Sequence, residues 1–310
     1  MHSFAENILT VFCILFFPLF FVGIINRVKA RWAGRKGPSV FQPFYDVARL
    51  MKKGEVVSRT TSPVFAIAPS ISLAALLCAA LLIPVGAFVP FLSFKGDFIL
   101  FSYLLALSKF ATILNAMDTG SSFEGMGASR EASFTALVEP AFFVVISSVA
   151  YLTGYTSLKD LLMLFHTQGS WSVIIMVLAA AAFFVMLLVE GCRVPVDDPC
   201  THLELTMIHE VMVLDNSGPD LGFITYGAGL KLYVISALIS SFLVQPGLSP
   251  LAAFALFCLI VCATAVAVGL VESFRPRLRM VHVPEFVLLM VSISLLICAG
   301  VIIYRTGGVQ

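Results

Sequence analysis

Five ionisable residues sit where hydrocarbon is expected to surround them. Glu139, Glu190, Glu272, Lys109 and Lys231 all fall inside, or at the ends of, long apolar runs. An unpaired charge in a bilayer is expensive, so such groups face a wet cavity or a partner charge. Two lysines about eight or nine residues, ~12–14 Å, from one set of helix ends, with acids near the same ends, are the parts of a proton relay. The plainer reading of the same residues is a structural ion-pair network. More acids gather in segment 190–220, EGCRVPVDDPCTHLELTMIHEVMVLDNSGPD, which holds seven carboxylates, two histidines and one arginine. From it Glu204 and Glu210 join Glu139, Glu190, Lys109 and Lys231 as candidates for a proton path. His209-Glu210 invites a zinc-protease reading, but that motif needs a second histidine one turn on. Val213 stands there, and His202 lies about two turns away from His209. Helix capping, salt bridging or partner docking suits these histidines better.

These residues must be positioned by helices in a membrane. Hydrophobic residues make up 59% of the 310 and charged residues only 12%, against roughly 25% charged in an ordinary soluble domain. A chain so apolar cannot cover itself with polar surface. Eight runs reach the roughly 20 residues that cross a bilayer: 7–26, 64–90, 97–117, 134–155, 171–191, 222–244, 250–272 and 284–304. The expected fold is therefore all-α, a polytopic membrane protein of one domain. The first run ends in basic residues rather than a small-residue cleavage site, so it reads as a retained helix. Seven cysteines form no C-x-x-C pair and mostly lie in apolar runs, where cysteine acts as a small hydrophobe. No cofactor or metal is expected in this chain.

The basic residues set orientation. Loop 27–63 holds nine Lys/Arg, and loops on the same side add Arg130, Arg193, Arg275, Arg277 and Arg279. The opposite side has only Lys95, Lys159 and Arg305. This asymmetry of fourteen to three places the long loops in the cytoplasm and both termini outside; the membrane is expected to be the cell's inner one. The net charge of +1 gives no basis for a nucleic-acid partner. Within the first loop, Gly37-Pro38 marks a turn and Pro43 opens a helix. Phe44, Val47, Ala48 and Met51 repeat at helical spacing, opposite Asp46, Arg49, Lys52 and Lys53. This is a short amphipathic helix for the membrane interface, or one packed on neighbouring helices. In segment 118–140 the three glycines 120, 125 and 127 read as a flexible turn, with Ser129 capping the helix that follows. Glu139 is then one to two turns inside that helix. A short helix is expected from Pro199 or Thr201 to about Leu214.

Three segments carry a family resemblance. GRKGPSVFQPFYDVARLMKKGEV resembles the first loop of the complex I quinone-site subunit, patterned GP…G…QP-x-x-D-x-x-K-L. Gly37, Pro38, Gln42, Pro43, Asp46 and Leu50 match it, while Arg49 replaces the lysine and a second Gly-Pro is missing. SSFEGMGASREASFTALVEP and the acidic segment from Glu190 are more similar to the membrane subunit of formate hydrogenlyases and energy-converting nickel–iron hydrogenases. Glu190, Arg193, Pro195, Asp197, Pro199 and Glu204 keep the complex I frame E-x-N-R-x-P-F-D-L-P-E-x-E-x-E-L, and Cys200, Thr201 and His202 depart from it. The resemblance implies a subunit without a redox centre of its own. It would anchor soluble nickel–iron large and iron–sulfur small subunits through its loops and join them to antiporter-like membrane subunits moving protons or sodium. Formate dehydrogenase is a further implied partner. Arg35, Gln42, Asp46, Arg130, Arg193, Asp197 and Asp198 are the docking candidates. The alternatives are a quinone-reducing relative, with quinone entering between the first helix and the interfacial helix, and a stand-alone secondary transporter. The absence of a repeat between the halves speaks against the transporter.

Overall fold

The computed structural model describes residues 4–164, 170–197, 208–245 and 247–306. Among them the chain is all helix and turn. Eight helices are long and apolar enough to cross a membrane: α1 (Phe4–Trp32), α3 (Pro63–Ala80), α4 (Asp97–Asp118), α5 (Ser122–Thr153), α7 (Ser170–Glu190), α9 (Gly218–Leu243), α10 (Pro250–Phe274) and α11 (Val283–Thr306). Three short helices, α2 (Gln42–Leu50), α6 (Leu158–Leu164) and α8 (His209–Met212), lie between them. Central helix α9 is the most enclosed and packs on α1, α3, α7 and α10, while α11 packs on α5 and α7. With eight crossings the α1–α3, α4–α5, α7–α9 and α10–α11 connections share one side, called here the loop face.

Two spans depart from their expected bounds. The run 64–90 is helical only to Ala80, because Pro84 and Gly86 turn the chain. Leu82, Ile83 and Val85 stay buried outside the helix, and the Pro84 carbonyl accepts the Ser241 hydroxyl at 3.0 Å. Gly86 has φ +62°, and a Cβ there would lie 3.0 Å from the Ala253 carbonyl oxygen of α10. The fourth span starts at Ser122, not 134, so the flexible turn shrinks to 119–121 and Ser129 lies inside α5 instead of capping it. Gly127 is there for close approach. A Cβ on it would stand 2.4 Å from Val211 Cγ1 and 2.8 Å from the Ile208 carbonyl oxygen, so its absence lets α8 press on α5.

Among the described residues three prolines interrupt transmembrane helices, and two of the freed carbonyls are answered by another helix. A proline has no N–H for the carbonyl four residues back, and hydrocarbon offers no water to replace it. Pro69 leaves Phe65, whose carbonyl accepts Asn115 Nδ2 of α4 at 2.8 Å; the Asn115 side-chain oxygen accepts Asn216 Nδ2 at 2.8 Å. Pro18 leaves Ile14, whose carbonyl accepts the Tyr226 hydroxyl of α9 at 3.1 Å. The third is Pro140 of α5.

The interfacial helix α2 exists as expected and rests on protein. Phe44 meets Phe16 of α1 at 5.4 Å between ring centres, and Met51 lies against Gly222 of α9.

Candidate functional site

Helix α7 stops at Glu190, yet this residue is not at a surface. The chain after it folds back into the protein, with Cys192, Arg193, Val194, Val196 and Asp197 all buried. Gly191 permits the turn-in, since a Cβ there would sit 2.3 Å from Leu232 of α9. Glu190 is thus set at the depth of Lys109, nine residues from the end of α4, and of Lys231, thirteen residues into α9. Lys231 lies deeper than expected because α9 begins at Gly218, four residues before the apolar run.

Four buried charges from four helices form a chain of alternating sign. Glu131 of α5 pairs with Lys109 of α4. Lys109 Nζ is 3.0 Å from Glu190 Oε2, and Lys231 Nζ is 3.6 Å from the same oxygen. None of the four side chains is more than 12% exposed. Each charge has an opposite neighbour, which is what makes the burial tolerable. Glu131 was missed as a path residue because it precedes the apolar run and follows two glycines. The spacing of Glu131 and Glu139, eight residues and so about two turns, was the available signal.

Glu139 lies elsewhere than expected. It is seventeen residues into α5, about 25 Å along the axis from its start. Among the described residues it makes no hydrogen bond or ion pair, though the charges of Glu190, Lys109 and Lys231 act on it.

Two spaces adjoin the chain on its loop-face side. A cavity of about 30 Å³ is walled by Glu190, Lys231, His209, Ser72, Ser108 and Thr112, polar partners enough for an ordered water. The Ser72 and Ser108 hydroxyls are 2.8 Å apart. Beyond it opens a cleft of about 320 Å³ lined by Arg193, Asp197, His209 and Glu210 together with α1 and α9. His209 borders both spaces. Burial pushes its imidazole below the ordinary histidine value; Glu131 opposes this and the two lysines reinforce it. Burial likewise pushes the Cys192 thiol well above the ordinary value, so it stays protonated.

The docking candidates divide. Arg35 is exposed, and Gln42 and Asp46 are half-buried and joined by a 2.9 Å hydrogen bond along α2. Arg130 is half-buried. Arg193 and Asp197, expected at a docking surface, point inward instead. Arg193 Nη1 is 3.5 Å from Glu272, which also holds Lys29 at 2.8 Å. Asp197 binds Arg277 at 2.8 Å and accepts the Ile208 and His209 amides at 3.1 and 3.0 Å, which starts α8. Buried charges need such partners, and these come from α1, α10 and the α10–α11 loop. Asp198 and Glu204, and the expected helix start at Pro199 or Thr201, lie outside the described residues.

The sequence matches the NADH dehydrogenase family over residues 5–303. It is 32% identical over 230 residues to hydrogenase-4 component C of Escherichia coli, covering 74% of this chain and 71% of that one. It is 30% identical over 215 residues to formate hydrogenlyase subunit 4 of the same organism, covering 69% and 68%. An NADH-quinone oxidoreductase subunit from Anaplasma marginale is 28% identical over 236 residues, covering 70% of this chain and 66% of that one. A chain in the structure of an archaeal membrane-bound sulfane sulfur reductase, a respiratory membrane complex, superposes with a TM-score of 0.81. The match covers 96% of this chain and 99% of that one at 22% identity, and it shows a shared fold.

Proposed function

The chain belongs to the NADH dehydrogenase family, and from that premise we propose that it is the membrane anchor and coupling subunit of a hydrogenase-type oxidoreductase complex. The hydrogenase components among its relatives support this choice within the family. Soluble nickel–iron and iron–sulfur subunits would carry the redox chemistry, and antiporter-like subunits would extend the ion path. The loop face is assigned to the cytoplasm by its excess of basic residues. Arg35, Gln42, Asp46 and Arg130 are the docking residues in this reading.

The observation that carries the coupling role is the buried chain Glu131–Lys109–Glu190–Lys231 opening through His209 onto a loop-face cleft. A proton reaching the cleft meets His209, then the small polar cavity, then Glu190. Glu190 faces two lysines, so a proton gained there is a charge change that both lysines sense. Titrations of groups this close are shared across the set. A rearrangement of docked subunits at the cleft would therefore alter proton occupancy within the membrane, and Glu139 is the next carboxylate inward. The quinone alternative would place its entrance between α1 and α2, and a quinone bound to the purified complex would favour it. Phe16, Phe20, Phe41 and Phe44 cluster there, and a Cβ on Gly23 would be 1.9 Å from the Val40 carbonyl oxygen.

The test is ion transport in inverted vesicles measured beside dye-linked hydrogenase activity. Glu190→Gln and Glu139→Gln are expected to retain the dye-linked reaction and lose transport per turnover. Unchanged transport in both variants refutes the relay.

A further inference from the structure

A second basic site lies away from the buried chain, on the other flank of α1. The segment after α1 reverses at Gly34 and Gly37, with φ +68° and +67°, and runs back along the helix. Arg27 holds it there: its Nη1 donates to the carbonyls of Lys36, Gly37 and Pro38 at 2.7, 3.3 and 3.1 Å. Between this strap, α1 and α10 is a cleft of about 690 Å³. Ile24, Val28 and Val266 line it with apolar surface, and Arg27, Arg31 and Lys36 supply three cations. Among the described residues no carboxylate lines it. Arg27, Arg31, Val28 and Ile24 recur at helical spacing, so the apolar and basic parts follow one another along a single stripe of α1.

Its level in the membrane is marked by Trp32 and Phe274, which meet edge to face with ring centres 4.7 Å apart on the loop-face ends of α1 and α10 and are both largely exposed. Exposed tryptophan at a helix end sits at the headgroup level. The cations therefore lie at headgroup depth, and the apolar floor runs below them into the acyl region. Among the described residues Arg27 bonds only backbone carbonyls and has no carboxylate within ion-pair distance.

We propose that this cleft binds one anionic phospholipid, its phosphate between Arg27, Arg31 and Lys36 and an acyl chain along Ile24, Val28 and Val266. A free phosphate would use only the upper half of the site. The lipid uses both, and the uncompensated positive charge selects an anionic headgroup over a zwitterionic one. Basic clusters beside transmembrane helices recognise anionic headgroups in this way.

The experiment uses the intact detergent-solubilised complex, titrated with fluorescent phosphatidylglycerol against a phosphatidylcholine background. Wild type is expected to prefer phosphatidylglycerol. The double variant Arg31→Gln/Lys36→Gln removes two exposed charges and leaves the Arg27 strap intact. Its phosphatidylglycerol affinity should fall about 25-fold, roughly fivefold for each basic residue at an interface. Val266→Trp fills the floor from a half-exposed position and should weaken lipid binding while all three cations remain. Equal affinity for the two lipids overturns the proposal, as does full displacement by inorganic phosphate. Binding unchanged in both variants also overturns it, as does a complex whose soluble subunits already cover the cleft and exclude the probe.

Discussion

Glu190→Gln should destabilise the assembled complex, and removing Lys231 as well should restore it. Glu190 is the only carboxylate within 4 Å of the Lys231 ammonium among the described residues, while Lys109 keeps Glu131. Breaking a buried pair by deleting one charge costs about 3–5 kcal/mol. The glutamine amide oxygen can still accept from one lysine, and a hydrogen bond to a charged group returns about 1.5–3 kcal/mol. The expected net loss is about 1–3 kcal/mol, a 5- to 150-fold shift toward the disrupted form at tenfold per 1.4 kcal/mol. Glu139→Gln breaks no bond, so its cost should stay within about 1 kcal/mol. In Glu190→Gln/Lys231→Met no unmatched ammonium remains, so stability should return toward wild type while transport stays lost. The assay is survival of the intact complex on gel filtration after graded heating, alongside transport per turnover. A double variant no more stable than Glu190→Gln refutes the claim that Glu190 acts as the counter-charge of Lys231.

Lowering the pH should act through His209. Its value in the fold lies below the ordinary one of about 6.5, so between the two values the unfolded chain binds a proton that the folded chain does not. Stability is therefore expected to fall as pH drops through that window, and His209→Gln should flatten the loss in thermal-survival curves. Gly127→Leu should force α8 off α5 at an overpacking cost of about 1–3 kcal/mol, with Val211→Ala in the same chain recovering part of it; no recovery would show that the two helices do not meet there. A cysteine placed at Ser58 should react with membrane-impermeant maleimide only from the cytoplasmic side; labelling of intact cells from outside would reverse the topology.

The eight spans could be read from hydropathy because length and apolar content are local properties. The amphipathic α2 could be read for the same reason, since its period is carried by nine consecutive residues. Lys109, Lys231 and Glu190 were identifiable because a charge in an apolar run is visible without knowing its neighbours. Their pairing was not, because it joins residues 41 to 81 positions apart across three helices. Arg193 and Asp197 looked like surface charges for a related reason: their partners Glu272 and Arg277 lie about 80 residues on, so burial was hidden. Gly127 shows the same limit from the other side. Flexibility and close packing call for the same residue, and only the position of α8 decides between them.

The early end of α7 has an electrical consequence. Lys109 stands nine residues, about 13 Å, below the loop-face end of α4, in a hydrocarbon layer roughly 30 Å thick. If the cleft admits water, as the proposed proton path requires, the potential of the adjoining solution reaches down to His209, and little of the membrane voltage falls across the outer part of that path. Most of the voltage would then drop over the remaining half of the layer, between the buried charges and the far side. A full crossing of one charge against 100 mV takes about 2.3 kcal/mol. Proton entry to Glu190 would be nearly voltage-independent, and the membrane potential would oppose chiefly the step that leaves the Glu131–Lys231 set.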